Sequence, residues 1–199
     1  MNPRDAFDYL IAQIREQTED DSSRYIIPDH LAKPLLNYQS IRHDLIFIKE
    51  ATTKLMTPDL DQTTMASLWH TVIALYGKCF VSSGHSTKLE SNNCFSRQNE
   101  MFLKTHNELM DLRHNFVAHR GRTIHEFAIA YIKIDPFKND SEVKIEQLKR
   151  NKPDIGELEK YIQLFDHLIT VTEDKIRTVG HKVVKKLFST TNPNQLYKI

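Results

Sequence analysis

Apolar residues recur along most of the chain at the spacing of helices that bury one face. The first such pattern begins at Asn2 and Pro3, an N-cap residue and a residue that the first turn of a helix favours. It continues through the apolar positions Phe7, Leu10 and Ile14. Four further helices are predicted, over about residues 28–56, 57–80, 96–117 and 155–188.

The period changes between the last two helices. Residues 124–134 are rich in Ile, Phe and Tyr and carry no helix signals, and residues 142–148 match them as a returning strand after a Pro- and Asn-containing turn. The pattern predicts a mainly all-α fold, a bundle of four to five helices with a β-hairpin insertion over about 123–149. We expect a single domain over residues 1–199, with a flexible tail over about 190–199.

The amino-acid composition excludes several classes of protein. The five glycines are scattered singly, whereas a phosphate-binding P-loop or a dinucleotide fingerprint needs clustered glycines. A net charge of +1 excludes the strongly basic profile of a dedicated duplex-DNA binder, and it disfavours a DNA-binding regulator. We expect no membrane-spanning segment and no secretory signal, and two cysteines are too few for a disulfide framework. A cytoplasmic protein with reduced thiols is predicted.

The densest polar cluster, residues 111–122, lies at the end of the fourth predicted helix. In an α-helix Arg113 and His119 are about 9 Å apart along the axis and about 120° apart around it, and a long side chain can still bring both groups to one phosphate. The guanidinium matches phosphate oxygens and imidazole titrates near neutral pH, so the pair has the minimum chemistry for cleaving RNA without a metal. The alternative is a helix end where both cations complement the macrodipole.

The segment Leu-Arg-His-Asn-Phe-Val-Ala-His-Arg-Gly, residues 112–121, resembles the signature of the HEPN-superfamily ribonucleases. That signature is an Arg, a polar residue after it, and a His four to six positions further on. Five residues separate Arg113 from His119 here, and His114 is the polar residue. The segment also resembles bacterial members of toxin–antitoxin and phage-defence systems, and the helical pattern extends the resemblance loosely over most of the chain.

The resemblance implies a helical bundle that forms a homodimer, with two copies of the motif facing one cleft. It implies a metal-independent endoribonuclease that uses the RNA 2′-hydroxyl as nucleophile, with Arg113 and His119 as the catalytic pair and His114 in support. It further implies a toxin or antiviral defence effector, whose partners are RNA and an antitoxin or another defence protein. Some HEPN toxins carry a modified Tyr two residues after the His; Gly121 stands there, so that regulation is not expected.

Candidate RNA contacts surround this pair. Seven residues before Arg113, on nearly the same helix face, His106 either lines the cleft or is solvated. The basic residues beside the motif either bind phosphate or are surface charge. No metal or other cofactor is expected, because the histidines lack the i,i+4 spacing of a zinc motif. The alternative function is a non-catalytic HEPN-like module for dimerisation or for ligand or RNA binding. The RNA-contact candidates are Arg120, Arg122, His106 and Asn115.

Overall fold

The structure, a computed structural model, describes residues 2–16, 24–81, 87–95, 99–118, 126–135, 140–150, 152–190, 196 and 198. These residues are mostly helical, and a two-stranded antiparallel hairpin precedes the last helix, which confirms the predicted mainly α class. The elements are α1 (Pro3–Glu16), α2 (Asp29–Leu55), α3 (Gln62–Phe80), α4 (Ser91–Cys94), α5 (Glu100–Leu112), a π-helical turn (Arg113–Ala118), β1 (Glu126–Asp135), β2 (Asp140–Lys149) and α6 (Ile155–Thr190).

The chain groups into two compact units, Met1–Leu36 with Ile176–Ile199, and Asn37–Lys175. The single domain expected over residues 1–199 stays a prediction. None of the helices in the described ranges has both the length and the apolar composition needed to cross a bilayer.

The first unit has a small apolar cluster of its own. Leu31, Val183 and Leu187 are buried there, and Leu196 packs against them. Close to the C-terminus, Lys198 forms an antiparallel β-bridge with Tyr25. The flexible tail expected over about 190–199 stays a prediction, and residues 196 and 198 make these contacts within it. The other residues after Thr190 lie outside the described part of the chain.

Side-chain caps fix the starts of two helices. The Asn2 Oδ1 atom accepts hydrogen bonds from the backbone N–H groups of Arg4 and Asp5, at 2.9 and 3.0 Å, which confirms the predicted start of α1. For α3 the predicted start at residue 57 is wrong. The Asp61 carboxylate caps this helix by accepting from the Thr64 N–H at 2.9 Å, so α3 begins at Gln62.

The second unit is built around α3. Trp69 and Tyr76 of this helix have no exposed surface. The Trp69 ring stacks on Tyr161 of α6, and the Tyr76 ring contacts Phe165 of the same helix, each at 5.6 Å between ring centroids. Buried aromatic side chains contribute most of the apolar area of a core, so α3 is the element against which the other helices of this unit are positioned.

The polar residues 82–93 lie between the third and fourth predicted helices and predict a loop, of which the structure describes residues 87–93. Leu89 is 1% exposed, and its N–H donates to the Cys79 carbonyl at 2.8 Å. The short helix α4 follows immediately. Residues 87–90 have no regular secondary structure, as expected for a loop, and the expectation is wrong over 91–93, which belong to α4. One apolar side chain and one backbone hydrogen bond attach the segment to the end of α3.

The predicted β-hairpin is confirmed. β1 and β2 pair in register from Glu126 opposite Lys149 to Asp135 opposite Asp140, and the turn over 136–139 lies outside the described residues. None of the described hairpin side chains is buried, and none belongs to the core of the second unit.

Candidate functional site

The polar segment at the end of α5 adopts a less common helical form than expected. α5 ends at Leu112, and residues Arg113–Ala118 form a π-helical turn. The side-chain amide of Asn115 donates to the Asp111 carboxylate at 2.7 Å. The expectation of an α-helix up to residue 117 is therefore wrong from Arg113 onwards, and the expected angle between Arg113 and His119 stays a prediction because His119 lies outside the described residues. π-helical turns are rare and are frequent at functional sites.

Gly77 leaves the space in which the Arg113 side chain lies. Gly77 is a buried residue inside α3, and the stem of Arg113 crosses it. A Cβ atom added at Gly77 overlaps Cδ and Nε of Arg113 and comes within 2.8 Å of its Cγ. A glycine inside a helix costs about 1 kcal/mol relative to alanine. Glycine at position 77 lets the Arg113 side chain lie against the α3 backbone. Any residue with a Cβ at position 77 would displace that side chain.

The Arg113 guanidinium has no counter-charge among the residues that the structure describes. The residue is half-buried, and it forms no hydrogen bond or ion pair with any residue that the structure describes. Arginine keeps its charge at all physiological pH values and offers five N–H donors in a fixed plane. A partly desolvated cation of this kind attracts an anion, and phosphate has the matching geometry.

His114 and Asn115 follow Arg113 in the same turn but differ in exposure. His114 is exposed, and Asn115 is half-buried. Because the Asn115 amide already donates one hydrogen bond to Asp111, it stabilises the π-helical turn and retains a second N–H and its carbonyl oxygen for other partners. The turn thus presents a guanidinium, an imidazole and a carboxamide over three consecutive residues.

His106 lies in the core, and the prediction that it contacts RNA is wrong. Its ring is 6% exposed, and the rings of Phe80 and Phe95 lie 4.4 and 5.0 Å from it between centroids. The Tyr76 hydroxyl is hydrogen-bonded to Nδ1 of His106 at 2.7 Å. Burial lowers the pKa of His106 to about 4, so the ring is neutral at pH 7. The shared face with Arg113 was inferred correctly, but that face packs on α3.

The other predicted residues of the motif lie outside the described part of the chain. They are His119, Arg120 and Arg122, together with Gly121, the expected end of the helix. The structure gives no distance from Arg113 to any of them. Their roles stay predictions.

The two cysteines belong to the hydrophobic core. Cys79 and Cys94 are free and buried in the core of the second unit. Burial raises the pKa of the Cys79 thiol to about 12 and that of Cys94 to about 11, so both remain protonated at neutral pH. Among the described residues, no group of three or more His, Cys, Asp or Glu side chains is placed to hold a metal ion.

Sequence reasoning missed Gly77 and Tyr76, the two α3 residues that organise this region. A lone glycine inside an otherwise apolar helical pattern is the signal that points to a close contact at Gly77. No family model, curated protein or solved structure matches the chain. The HEPN interpretation therefore rests on the residues of the motif and stays a prediction.

Proposed function

We propose that the chain is a metal-independent endoribonuclease of HEPN type, with Arg113 and His119 as its catalytic pair. The observation that carries the proposal is the Arg113 guanidinium, half-buried against Gly77 and without a carboxylate partner among the described residues. In a purely structural role, a cation at a helix end complements the macrodipole or pairs with a carboxylate. A half-buried arginine with no carboxylate partner among the described residues is also suited to bind a phosphate group.

The proposed reaction needs only groups of the RNA and of the motif. A base removes the proton of the 2′-hydroxyl, and the 2′-oxygen attacks the adjacent phosphorus. The bond from phosphorus to the 5′-oxygen breaks, and that oxygen takes up a proton, leaving a 2′,3′-cyclic phosphate and a 5′-hydroxyl. Imidazole near neutral pH serves for the proton transfer, which is the role assigned to His119, and the Arg113 guanidinium stabilises the charge on the phosphorane.

The neighbours of the pair receive supporting roles. His114 and Asn115 are in the same turn as Arg113, with Asn115 tied to Asp111, so they are suited to shape the turn and to contact the RNA. Arg120 and Arg122 supply further positive charge for phosphates. His106 is excluded from this set because its ring is buried and neutral.

The biological part of the proposal follows the motif resemblance. The protein acts on RNA as a homodimer in which two motif copies share a cleft, and it serves in the cytoplasm as a toxin or antiviral defence effector. An antitoxin or another defence-system protein controls it. A symmetric pair places the same residues on both sides of a two-fold axis, so the end of α5 contributes to the interface between the motifs.

The test is incubation of the purified protein with total RNA in excess EDTA, beside the His119→Ala variant. The proposal predicts fragmentation by the wild-type protein in chelator and none above background by the variant. Cleavage that stops on chelation and returns with one divalent ion indicates a metal nuclease and contradicts the proposal. Equal cleavage by both proteins shows that the motif match is accidental.

A further inference from the structure

The C-terminal half of α6 concentrates positive charge. From Lys175 to Ile199 the sequence carries six Lys and Arg side chains and no Asp or Glu, whereas the whole chain is nearly neutral, with 27 basic against 26 acidic residues. This part of α6 belongs to the first unit and is helical to Thr190. Because no acidic side chain within the segment balances this charge, the helix attracts an anionic partner.

Four side chains form an exposed stripe on this half of the helix, called the basic stripe below: His181, Lys182, Lys185 and Phe188. In an α-helix they lie within about 120° around the axis and over about 10 Å along it. The Phe188 side chain is 66% exposed, so most of its ring is accessible to a ligand. Neither lysine forms a hydrogen bond or an ion pair with any residue that the structure describes.

The opposite side of the same helix is already covered. Val183 and Leu187 are each 7% exposed and pack with Leu31 of α2 in the apolar cluster of the first unit. A helix that binds along a membrane surface embeds its apolar face in the lipid. That face is occupied here, and the open side presents charge with two apolar residues, Val184 and Phe188. The arrangement therefore favours a polyanion in solution over a lipid surface.

We propose that the basic stripe binds single-stranded RNA, with phosphates on Lys182 and Lys185 and an unpaired base stacked on Phe188. Proteins that hold single strands combine cationic side chains for the backbone with aromatic rings for the bases. Phe188 follows Lys185 by three residues, so the ring and the ammonium group are neighbours on the helix surface. His181, one turn before Lys185, adds an imidazole that forms hydrogen bonds.

The choice of RNA among polyanions rests on the proposed function, whereas the site itself is separate from the motif. The basic stripe lies in the first unit, and Arg113 lies in the second. Contacts to phosphates and to the face of a base carry little sequence information. The stripe is therefore expected to bind strands of different sequence with similar affinity.

The experiment is an equilibrium titration of the full-length protein with a labelled single-stranded 2′-O-methyl RNA. This probe has no free 2′-hydroxyl, so it reports binding without cleavage. Lys182→Gln with Lys185→Gln is expected to raise the dissociation constant about tenfold. The same pair should reduce the slope of log affinity against log salt by about 1.4, because each phosphate contact on a single strand contributes about 0.7. The matched control, Lys54→Gln with Lys160→Gln, removes equal charge from exposed positions of the second unit and should change neither quantity.

A second arm tests the stacked base. Phe188→Leu keeps an apolar side chain but removes the ring, and it is expected to weaken binding of the single strand about fivefold or more. Phe188→Trp keeps an aromatic ring and should retain the affinity. A fully paired RNA duplex offers no splayed base, so Phe188→Leu should not change its binding. Circular dichroism checks that all variants retain their helices.

Unchanged RNA affinity in the Lys182 and Lys185 variant, or an equal loss in the control pair, overturns the proposal. Unchanged affinity in Phe188→Leu contradicts the stacked base. Flotation with vesicles of phosphatidylserine and phosphatidylcholine tests the lipid alternative: vesicle binding that the stripe variant loses while its RNA binding stays intact contradicts an RNA site. Stripe-dependent binding without cleavage of ordinary RNA supports this site and contradicts the proposed nuclease.

Discussion

α5 and the π-helical turn after it contact α3 at two places. The two places differ in whether the polar side chain has a partner among the described residues. At the first, His106 lies among aromatic rings and its polar atom is hydrogen-bonded to Tyr76. At the second, Arg113 lies against Gly77 with no partner among the described residues for its charge. Adjacent residues of α3 make the difference, because Tyr76 supplies a hydrogen bond where Gly77 supplies only space.

The contrast shows why residue type and helix face do not by themselves identify a site. His106 and Arg113 share a face of the predicted helix, and both are polar. Burial leaves His106 neutral and satisfied, so it contributes to the stability of the fold. Arg113 has no ion pair or hydrogen bond with any described residue, so its N–H donors are suited to a ligand. Substitutions of His106 are therefore expected to change stability, and substitutions of Arg113 are expected to change activity.

The largest effect is expected on RNA cleavage. Arg113→Ala and His119→Ala should each lower the cleavage rate by about 10²–10⁴-fold, the usual contribution of general acid–base and electrostatic groups. Residues that act as one unit are not additive, so the double variant should resemble the single ones. His114→Ala should be milder because it supports the site. Cleavage rates of folded variants measure this, and wild-type activity in the double variant contradicts the assignment.

His106→Ala should lower the free energy of unfolding by about 3 kcal/mol. The substitution leaves a cavity among aromatic rings and removes the hydrogen-bond partner of the buried Tyr76 hydroxyl. Urea denaturation measures the change. The matched control is His114→Ala, an exposed position where about 0.5 kcal/mol or less is expected. Equal losses for the two variants count against the structural role of His106.

The same histidine makes stability depend on pH. Its pKa is about 4 in the folded protein, below the value of 6.5 expected when the chain is unfolded, so the unfolded state binds the proton more tightly. This contribution is present above pH 6.5 and is lost as the pH falls towards 4, by about 3 kcal/mol in total. His106→Phe should remove that part of the pH dependence. An unchanged profile in this variant contradicts the low pKa.

The smallest effect is expected at Gly77. Gly77→Ala should reduce cleavage by about tenfold, because the added Cβ displaces the Arg113 side chain from its place on α3. In the Arg113→Ala background the same change should raise the free energy of unfolding by about 1 kcal/mol, since alanine is the better helix former and the space is vacant.

The control for Gly77 is Gly180→Ala in α6, where the nearest atom to an added Cβ is 3.9 Å away. This variant should keep full cleavage activity. A loss of activity at Gly180 as large as at Gly77, or destabilisation by Gly77→Ala without Arg113 present, refutes the proposed contact.

The fold was largely predictable because it follows from periodicity. The hairpin, the long last helix and the approximate positions of the other helices come from the spacing of apolar residues, and Asn2 is a recognisable N-cap residue. The start of α3 was missed because residues 57–59 also carry a helix-start signal, whereas the Asp61 carboxylate is the group that accepts from the Thr64 N–H. The order at Leu89 was missed because one buried side chain in a polar stretch gives no periodic signal.

The candidate site was predictable in part. Arg113 was found from its motif, and the shared face with His106 was found from helical spacing. The burial of that face depends on α3, which lies far away in the sequence, so neither the neutral state of His106 nor the contact with Gly77 follows from the local pattern. The π-helical turn has no strong local signature either, and it changes the geometry around Arg113.

The activity proposed for the turn after α5 is RNA cleavage through the 2′-hydroxyl. Its most direct test is cleavage, in EDTA, of a DNA strand that contains a single ribonucleotide, with product ends identified by mass spectrometry. The account predicts one cut, immediately 3′ of the ribonucleotide, that leaves a 2′,3′-cyclic phosphate on one product and a 5′-hydroxyl on the other. Cuts elsewhere in the DNA, or a 5′-phosphate at the new end, contradict it.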